Sequence, residues 1–135
     1  MKISRGLRNR NPLNIRRNST RWKGLADIQS DKEFFCFSDI VWGYRAAFVT
    51  LRNYFKRYKL GTLKEWISRW APPVENDTEA YISFVGKMSG VGINDVISID
   101  DSKQMCSIVA AMSYFENGIP ANMSDVERGW QLVFS

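Results

Sequence analysis

Glu116 is the residue whose type and position point most directly to chemistry, because it ends an apolar helical stripe. Four apolar residues at spacings of three and four positions predict an amphipathic helix: Met105, Ile108, Val109 and Met112. At about 100° per residue, Glu116 falls inside the same stripe, and Gly118 and Pro120 end the helix soon afterwards. The sequence therefore predicts a carboxyl group that points inward from the last helical turn.

Such a position disfavours the charged form of Glu116. Burial and the negative end of the helix dipole both raise the pKa of a carboxyl group. A carboxyl group that stays protonated near neutral pH has the property that a general acid needs. The alternative is a frayed last turn in which Glu116 is solvated.

The composition narrows the chemistry further. The 135 residues include no histidine, which excludes Ser-His and Cys-His nucleophilic sites and histidine-based zinc sites. Acid–base catalysis would therefore depend on carboxylates, and no cofactor or metal is expected. Cys36 and Cys106 lie in apolar runs and are predicted to be buried thiols.

Charge is concentrated at the N-terminus. Residues 1–23 hold eight of the 19 basic residues and no acidic residue, so the remainder carries 11 basic against 14 acidic residues. A basic segment of this kind suits an anionic polymer or nucleic acid, or is simply solvated. There is neither an apolar run long enough to span a membrane nor a secretory signal pattern.

The pattern along the chain predicts a single α+β domain over 1–135, mainly helical, on which the basic, Asn-rich segment 1–23 packs. Residues 6–15 are expected to form an ordered loop. Residues 25–29 and 33–37, joined by a turn at 30–32, are expected to form a β-hairpin. Five helices follow, with starts predicted at Ser38, Thr62, Asn76, Asp100 or Ser102, and Ser124.

Carboxylate-assisted glycoside cleavage is the natural chemistry for this set of residues. Glu116 is the predicted acid, and the hairpin residues Asp31 and Glu33 are candidates for a second carboxylate. Three aromatic residues are candidates for stacking on sugar rings: Trp22, Trp70 and Tyr81. Each also has a structural interpretation, since Asp31 suits a turn and tryptophans suit a core.

A series of motifs resembles phage and prophage proteins commonly labelled virion structural proteins. The motifs are GLRNRNPLNI at 6–15, WKG at 22–24, WGYRA at 42–46, RWAPP at 69–73 with ENDT at 75–78, and ENG at 116–118. The resemblance spans nearly the whole chain. Leu13 stands where the family usually has glycine, and a positive φ there would strain a leucine.

A looser resemblance concerns mechanism. Bacterial glucosaminidases and lytic transglycosylases of the lysozyme superfamily have a helix that ends in a catalytic Glu, followed by an Asn-rich segment and a small β region. Residues 108–118 resemble that helix and residues 9–16 resemble that segment, in reversed order. This resemblance implies a circularly permuted lysozyme-like domain, in which Asn9, Asn11 and Asn14 would shape the site.

The favoured interpretation is a phage-derived enzyme that cleaves peptidoglycan, either a glycosidase (muramidase or glucosaminidase) or a lytic transglycosylase. It would be made in the cytoplasm without a signal peptide, and would be carried in the virion or released to the cell wall. The alternative is a non-catalytic virion protein that binds cell wall or capsid, with other virion proteins as partners. Nucleic-acid binding is least favoured, because the basic segment contains the ordered Asn-Pro loop and no helix-turn-helix signature is present.

Overall fold

The structure, a computed structural model, describes residues 3–74 and 76–135. Lys2 of the basic segment and Glu75 of the ENDT motif lie outside the described residues. The described part contains six helices: α1 (Arg5–Arg8), α2 (Ile40–Tyr58), α3 (Leu63–Trp70), α4 (Thr78–Ser89), α5 (Ser102–Asn117) and α6 (Met123–Val133). None of them is long and apolar enough to cross a lipid bilayer.

Helices α2 to α6 correspond to the five predicted helices, but most of their starts were placed wrongly. The capping box of Thr62 and Glu65 is confirmed at α3. The other helices are capped one or two residues away from the predicted position, by Asp39, Asp77, Asp101 and Asn122. Asp, Asn, Ser and Thr all cap well, so the pattern identifies a helix start without fixing which of two neighbouring polar residues accepts the bond.

The predicted β-hairpin is wrong, and with it the expectation of an α+β, lysozyme-like domain. Within the described residues, 3–74 and 76–135, there is no strand and there are only two isolated bridges, Arg16 with Phe34 and Leu25 with Phe37. Residues 33–37, the second predicted arm, form backbone hydrogen bonds with two different segments. Phe35 N–H donates to the Ile15 carbonyl, whereas the Cys36 carbonyl accepts from Ala26 N–H.

The main apolar core lies between the long helices, with α2 packed against α6 and α4 against α5, and a smaller cluster is formed by Phe35, Phe37 and Ala46. All four apolar residues of the predicted α5 stripe have no exposed surface. Tyr44 of α2 hydrogen-bonds Ser113 of α5 inside this core, with the two oxygens 2.9 Å apart. Cys36 and Cys106 are buried free thiols, as predicted. The core therefore fixes the position of the α5 C-terminus, where Glu116 lies.

The Asn-rich segment is held against the end of α5 by close backbone packing. Its residues 5–8 form the short helix α1 rather than a loop. A Cβ on Gly6 would lie 2.8 Å from Asn117 Oδ1 and 2.9 Å from the Asn11 carbonyl oxygen, closer than side chains tolerate. Asn117 also donates to the Pro12 carbonyl at 2.8 Å and accepts from the Ser4 hydroxyl at 2.7 Å. These contacts place residues 9–16 beside Glu116.

Two residues of this segment have a left-handed backbone, Arg10 with φ 53° and Asn14, one residue after Leu13. Asn14 has φ 54°, whereas Leu13 is not among the residues with positive φ. Asparagine adopts this left-handed region more readily than most residues. Leu13 is instead fully buried in the main core. The leucine therefore anchors the loop without strain, and the turn at Asn14 directs the asparagine side chain toward α5.

Candidate functional site

Glu116 lies in the last turn of α5, half-buried, and receives two side-chain hydrogen bonds. Asn14 Nδ2 donates to Oε1 at 2.9 Å, and the Tyr81 hydroxyl donates to Oε2 at 2.9 Å. The position on the inner face of the helix is the one that periodicity predicted. The solvated, frayed alternative does not occur.

Burial raises the pKa of Glu116 above its ordinary value. The bonds from Asn14 and Tyr81 favour the carboxylate and offset part of that rise. Tyr81 is itself only 2% exposed, and burial followed by the neighbouring Glu116 charge raises its pKa well above 10.0. Tyr81 therefore remains a protonated donor, and Glu116 is the group in this pair that can exchange a proton.

A cleft of about 460 Å³, which we call the acid cleft, opens beside Glu116. Its other lining residues come from the Asn-rich segment, from residue 34 and from the end of α3 with the turn that follows: Leu13, Asn14, Arg16, Phe34, Arg69, Trp70, Ala71, Pro72 and Asn76. Glu116 is the only carboxyl group among the lining residues that the structure describes. Among the described lining residues, a group bound here would meet one carboxyl group, two arginines, two asparagine side chains and an indole ring.

A second and larger depression of about 610 Å³, which we call the arginine groove, continues from the acid cleft. The two share four lining residues: Asn14, Arg16, Arg69 and Trp70. The rest of the groove is formed by residues 15–22 and by the outward face of the second half of α2: Ile15, Asn18, Thr20, Trp22, Val49, Thr50, Asn53, Tyr54, Arg57 and Tyr58. Together the two depressions form a continuous surface that extends away from Glu116.

The candidate second carboxylates are occupied elsewhere. Asp31 accepts from Arg5 Nε at 2.7 Å and from Asn9 Nδ2 at 2.9 Å, and these donors hold the pKa of Asp31 far below its usual range. Glu33 is exposed and lies 3.4 Å from Arg5 and 3.5 Å from Arg16. Neither residue lines the acid cleft. The ion pairs of Asp31 and Glu33 with Arg5 therefore join α1 to the segment around residue 34.

The three predicted asparagines take different places. Asn14 alone contacts Glu116. Asn11 is fully buried, and its side chain donates to the carbonyls of Ile15 and Phe35 and accepts from Ile15 N–H. Asn9 is buried against Asp31 and Cys36. Asn9 and Asn11 thus support the loop that presents Asn14.

The three predicted aromatic residues also differ in their surroundings: two line a depression and one is buried. Trp70 lines both depressions and Trp22 lines the arginine groove, so each presents a ring to a ligand. Tyr81 is buried and stacks on Phe115, with ring centroids 4.2 Å apart, and so serves as a hydrogen-bond donor to Glu116 and not as a sugar platform.

Sequence reasoning missed the residues that α2 and α3 contribute to the groove, notably Tyr54, Arg57 and Arg69. The available signal was a polar and aromatic set at 53, 54, 57 and 58, positions that share a helical face. Arg52, on the same helix, lies outside the groove: it is buried, donates to the Ile99 carbonyl at 2.6 Å and pairs with Asp100 at 2.8 Å.

Comparison with known proteins relates the chain to a phage protein. No protein-family model matches the chain. Protein P5 of Pseudoalteromonas phage PM2 is 36% identical over 135 residues, an alignment that covers 97% of this chain and 82% of the phage protein. The relationship to phage proteins that the motifs predicted is thereby confirmed. The relative's name specifies no activity, so any chemistry must be argued from the geometry of the site.

Proposed function

Because the chain belongs to the same family as Protein P5 of Pseudoalteromonas phage PM2, we propose that it is a phage protein that cleaves glycosidic bonds in peptidoglycan. The observation that carries the proposal is the setting of Glu116, a half-buried carboxyl group with a raised pKa at the edge of an open cleft. A phage protein meets the bacterial wall at entry and at release, and glycan cleavage is a reaction that a protonated carboxyl group promotes.

The proposed reaction uses Glu116 twice. The protonated carboxyl group donates its proton to the bridging oxygen as the bond from that oxygen to the anomeric carbon breaks. The resulting carboxylate then accepts the proton of the hydroxyl group that attacks the anomeric carbon, either from water or from the sugar itself, and the acid is restored. Asn14 and Tyr81 stabilise the intermediate carboxylate, since both donate to it.

A phage protein that binds the wall without cutting it is the alternative, and one observation favours it. Most glycosidases use two carboxylates, whereas Glu116 is the only one lining the acid cleft among the described residues. Virion association, with other virion proteins as partners, is compatible with both functions. The cleaving and the binding function differ in whether the protein releases soluble glycan from the bacterial cell wall.

The pH dependence of muropeptide release tests the role of Glu116. Cleavage needs the protonated acid, so we expect the rate to fall as pH rises through the raised pKa of Glu116. Tyr81→Phe removes a hydrogen bond that lowers this pKa, so the alkaline limb of the rate profile should move to higher pH.

Tyr114→Phe is the matched control, because it removes a hydroxyl group from the same region of α5, where the Tyr114 ring packs edge-on against Phe84. Its profile should coincide with that of the wild type. An alkaline limb that stays in place in Tyr81→Phe, or that moves to lower pH, would contradict the assignment of Glu116 as the acid.

A further inference from the structure

The arginine groove has a charge pattern that the cleavage chemistry alone does not require. Arg57 and Arg69 line it, and Arg16, which also lines it, is paired with Glu33 at 3.5 Å. Glu116 is the only acidic lining residue that the structure describes, so Arg57 and Arg69 give the described lining an excess of positive charge. Such a surface attracts anionic groups and focuses them toward the site.

Arg69 is held in place before any ligand binds. Its guanidinium carbon lies 4.1 Å from the centroid of the Tyr58 ring and 5.2 Å from that of Tyr54. Tyr54 in turn packs edge-on against Trp70, with centroids 6.3 Å apart. Stacking leaves the planar fork of an arginine able to bind a carboxylate through two parallel bonds. Arg69 thus stands between the acid cleft and the groove as an ordered cation.

We infer that the arginine groove binds the anionic substituents of a peptidoglycan strand, meaning the carboxylates of its peptide stems, while Glu116 acts on the neighbouring glycosidic bond. This inference rests on the proposed function, because the strand is placed by its passage through the acid cleft. The aromatic rings of Trp22 and Trp70 contact sugar rings, and Arg57 and Arg69 contact the carboxylates. The substrate class is therefore acidic, peptide-bearing glycan in preference to neutral glycan.

Calorimetric titration of the Glu116→Gln protein tests the inference, because this variant holds a strand without cutting it. The probes are a peptidoglycan tetrasaccharide with free stem carboxylates, the same fragment with those carboxylates amidated, and neutral chitotetraose. We expect the free acid to bind about tenfold more tightly than the amidated fragment, from loss of charge-assisted bonds. Raising the salt concentration should reduce this preference.

The added substitutions Arg57→Gln and Arg69→Gln should abolish the preference for the free acid, whereas Arg128→Gln, on the exposed side of α6, should leave it intact. Circular dichroism confirms that each variant is folded. The amidated probe tests recognition of the carboxylates in a protein whose groove residues are unchanged. Equal affinity for the free and amidated fragments would overturn the inference. Tighter binding of a single-stranded oligonucleotide would also overturn it, in favour of a nucleic-acid groove.

The outcome is separable from that of the proposed function. Cleavage by the wild type without a preference for the free acid would remove the anionic subsite and leave Glu116 as the acid. A preference for the free acid without cleavage would remove the enzyme and leave a wall-binding groove.

Discussion

Glu116→Gln should lower the rate of muropeptide release by about 10²- to 10⁴-fold, the usual contribution of a general acid. Glutamine fills the same space but has no proton to donate at any working pH. Its amide oxygen can accept from Asn14, and its amide nitrogen can donate to the Tyr81 hydroxyl oxygen, so both contacts at 2.9 Å can persist. The loss should therefore appear in the rate while the fold is retained.

The same substitution should change how stability depends on pH. A raised folded-state pKa means that the folded protein holds the Glu116 proton more tightly than the unfolded chain does. The wild type therefore loses stability as pH rises from the ordinary pKa of a glutamate through the raised one. Glu116→Gln lacks this loss, so at neutral pH it should melt at the same temperature as the wild type or higher.

Glu127→Gln is the matched control, an exposed glutamate on α6. It should leave both the cleavage rate and the melting temperature close to those of the wild type. Wild-type rates in folded Glu116→Gln would refute the catalytic assignment, whatever the stability data show.

Asn11→Asp should be the most damaging substitution for stability, lowering the free energy of unfolding by about 3 to 5 kcal/mol at neutral pH, as expected for an uncompensated buried charge. Asn11 is fully buried, and its Nδ2 donates to the carbonyls of Ile15 and Phe35 at 3.0 and 2.9 Å. Aspartate would place an oxygen opposite both carbonyl oxygens. Denaturant titration measures the change.

The pH dependence of the Asn11→Asp variant gives a sharper check. The introduced carboxyl group, when protonated, could donate one of the two lost bonds, so its folded-state pKa should be raised. Stability should therefore recover as pH falls through that raised pKa, whereas at neutral pH the loss is complete. Asn94→Asp, at an exposed turn, is the matched control and should cost less than about 0.5 kcal/mol. Equal stability of the two variants would contradict a structural role for Asn11.

The local sequence pattern predicted those parts of the fold that depend on local interactions. The apolar stripe of α5 and the glycine that follows it located Glu116 on the inner face, and Gly118 indeed ends the helix with φ 75°. The capping box at Thr62 was equally readable, because its two bonds join residues three positions apart. In both cases the determinants lie within one or two helical turns.

The parts that failed depend on contacts between distant segments. Residues 33–37 look like one arm of a hairpin, but their backbone bonds are shared between residues 9–17 and 26. The Gln29 side chain takes over bonds at Cys36 that a strand partner would make, donating to its carbonyl at 2.8 Å and accepting from its N–H at 2.8 Å. No local sequence pattern indicates that a side chain will make the backbone hydrogen bonds of a neighbouring strand.

The surroundings of Glu116 could be predicted only in part, because they too depend on contacts between distant segments. Glu116 and the nearby Asn-rich loop were both found, yet only tertiary packing could show that Asn14 reaches the carboxyl group while Asn9 and Asn11 do not. Asp31 suits a catalytic carboxylate and a turn equally well in sequence. Its partner Arg5 lies 26 residues away, and that pairing decides its role.

The most direct test of the central claim is mass analysis of the products released from purified peptidoglycan by the wild-type protein. If Glu116 is the acid of a glycan-cleaving site, soluble disaccharide-peptides should appear, with new ends at glycosidic bonds and intact peptide stems, and they should be absent from the Glu116→Gln digest. No soluble glycan from several wall types, with the wild type shown to be folded, would contradict the claim, as would products cut only at amide bonds.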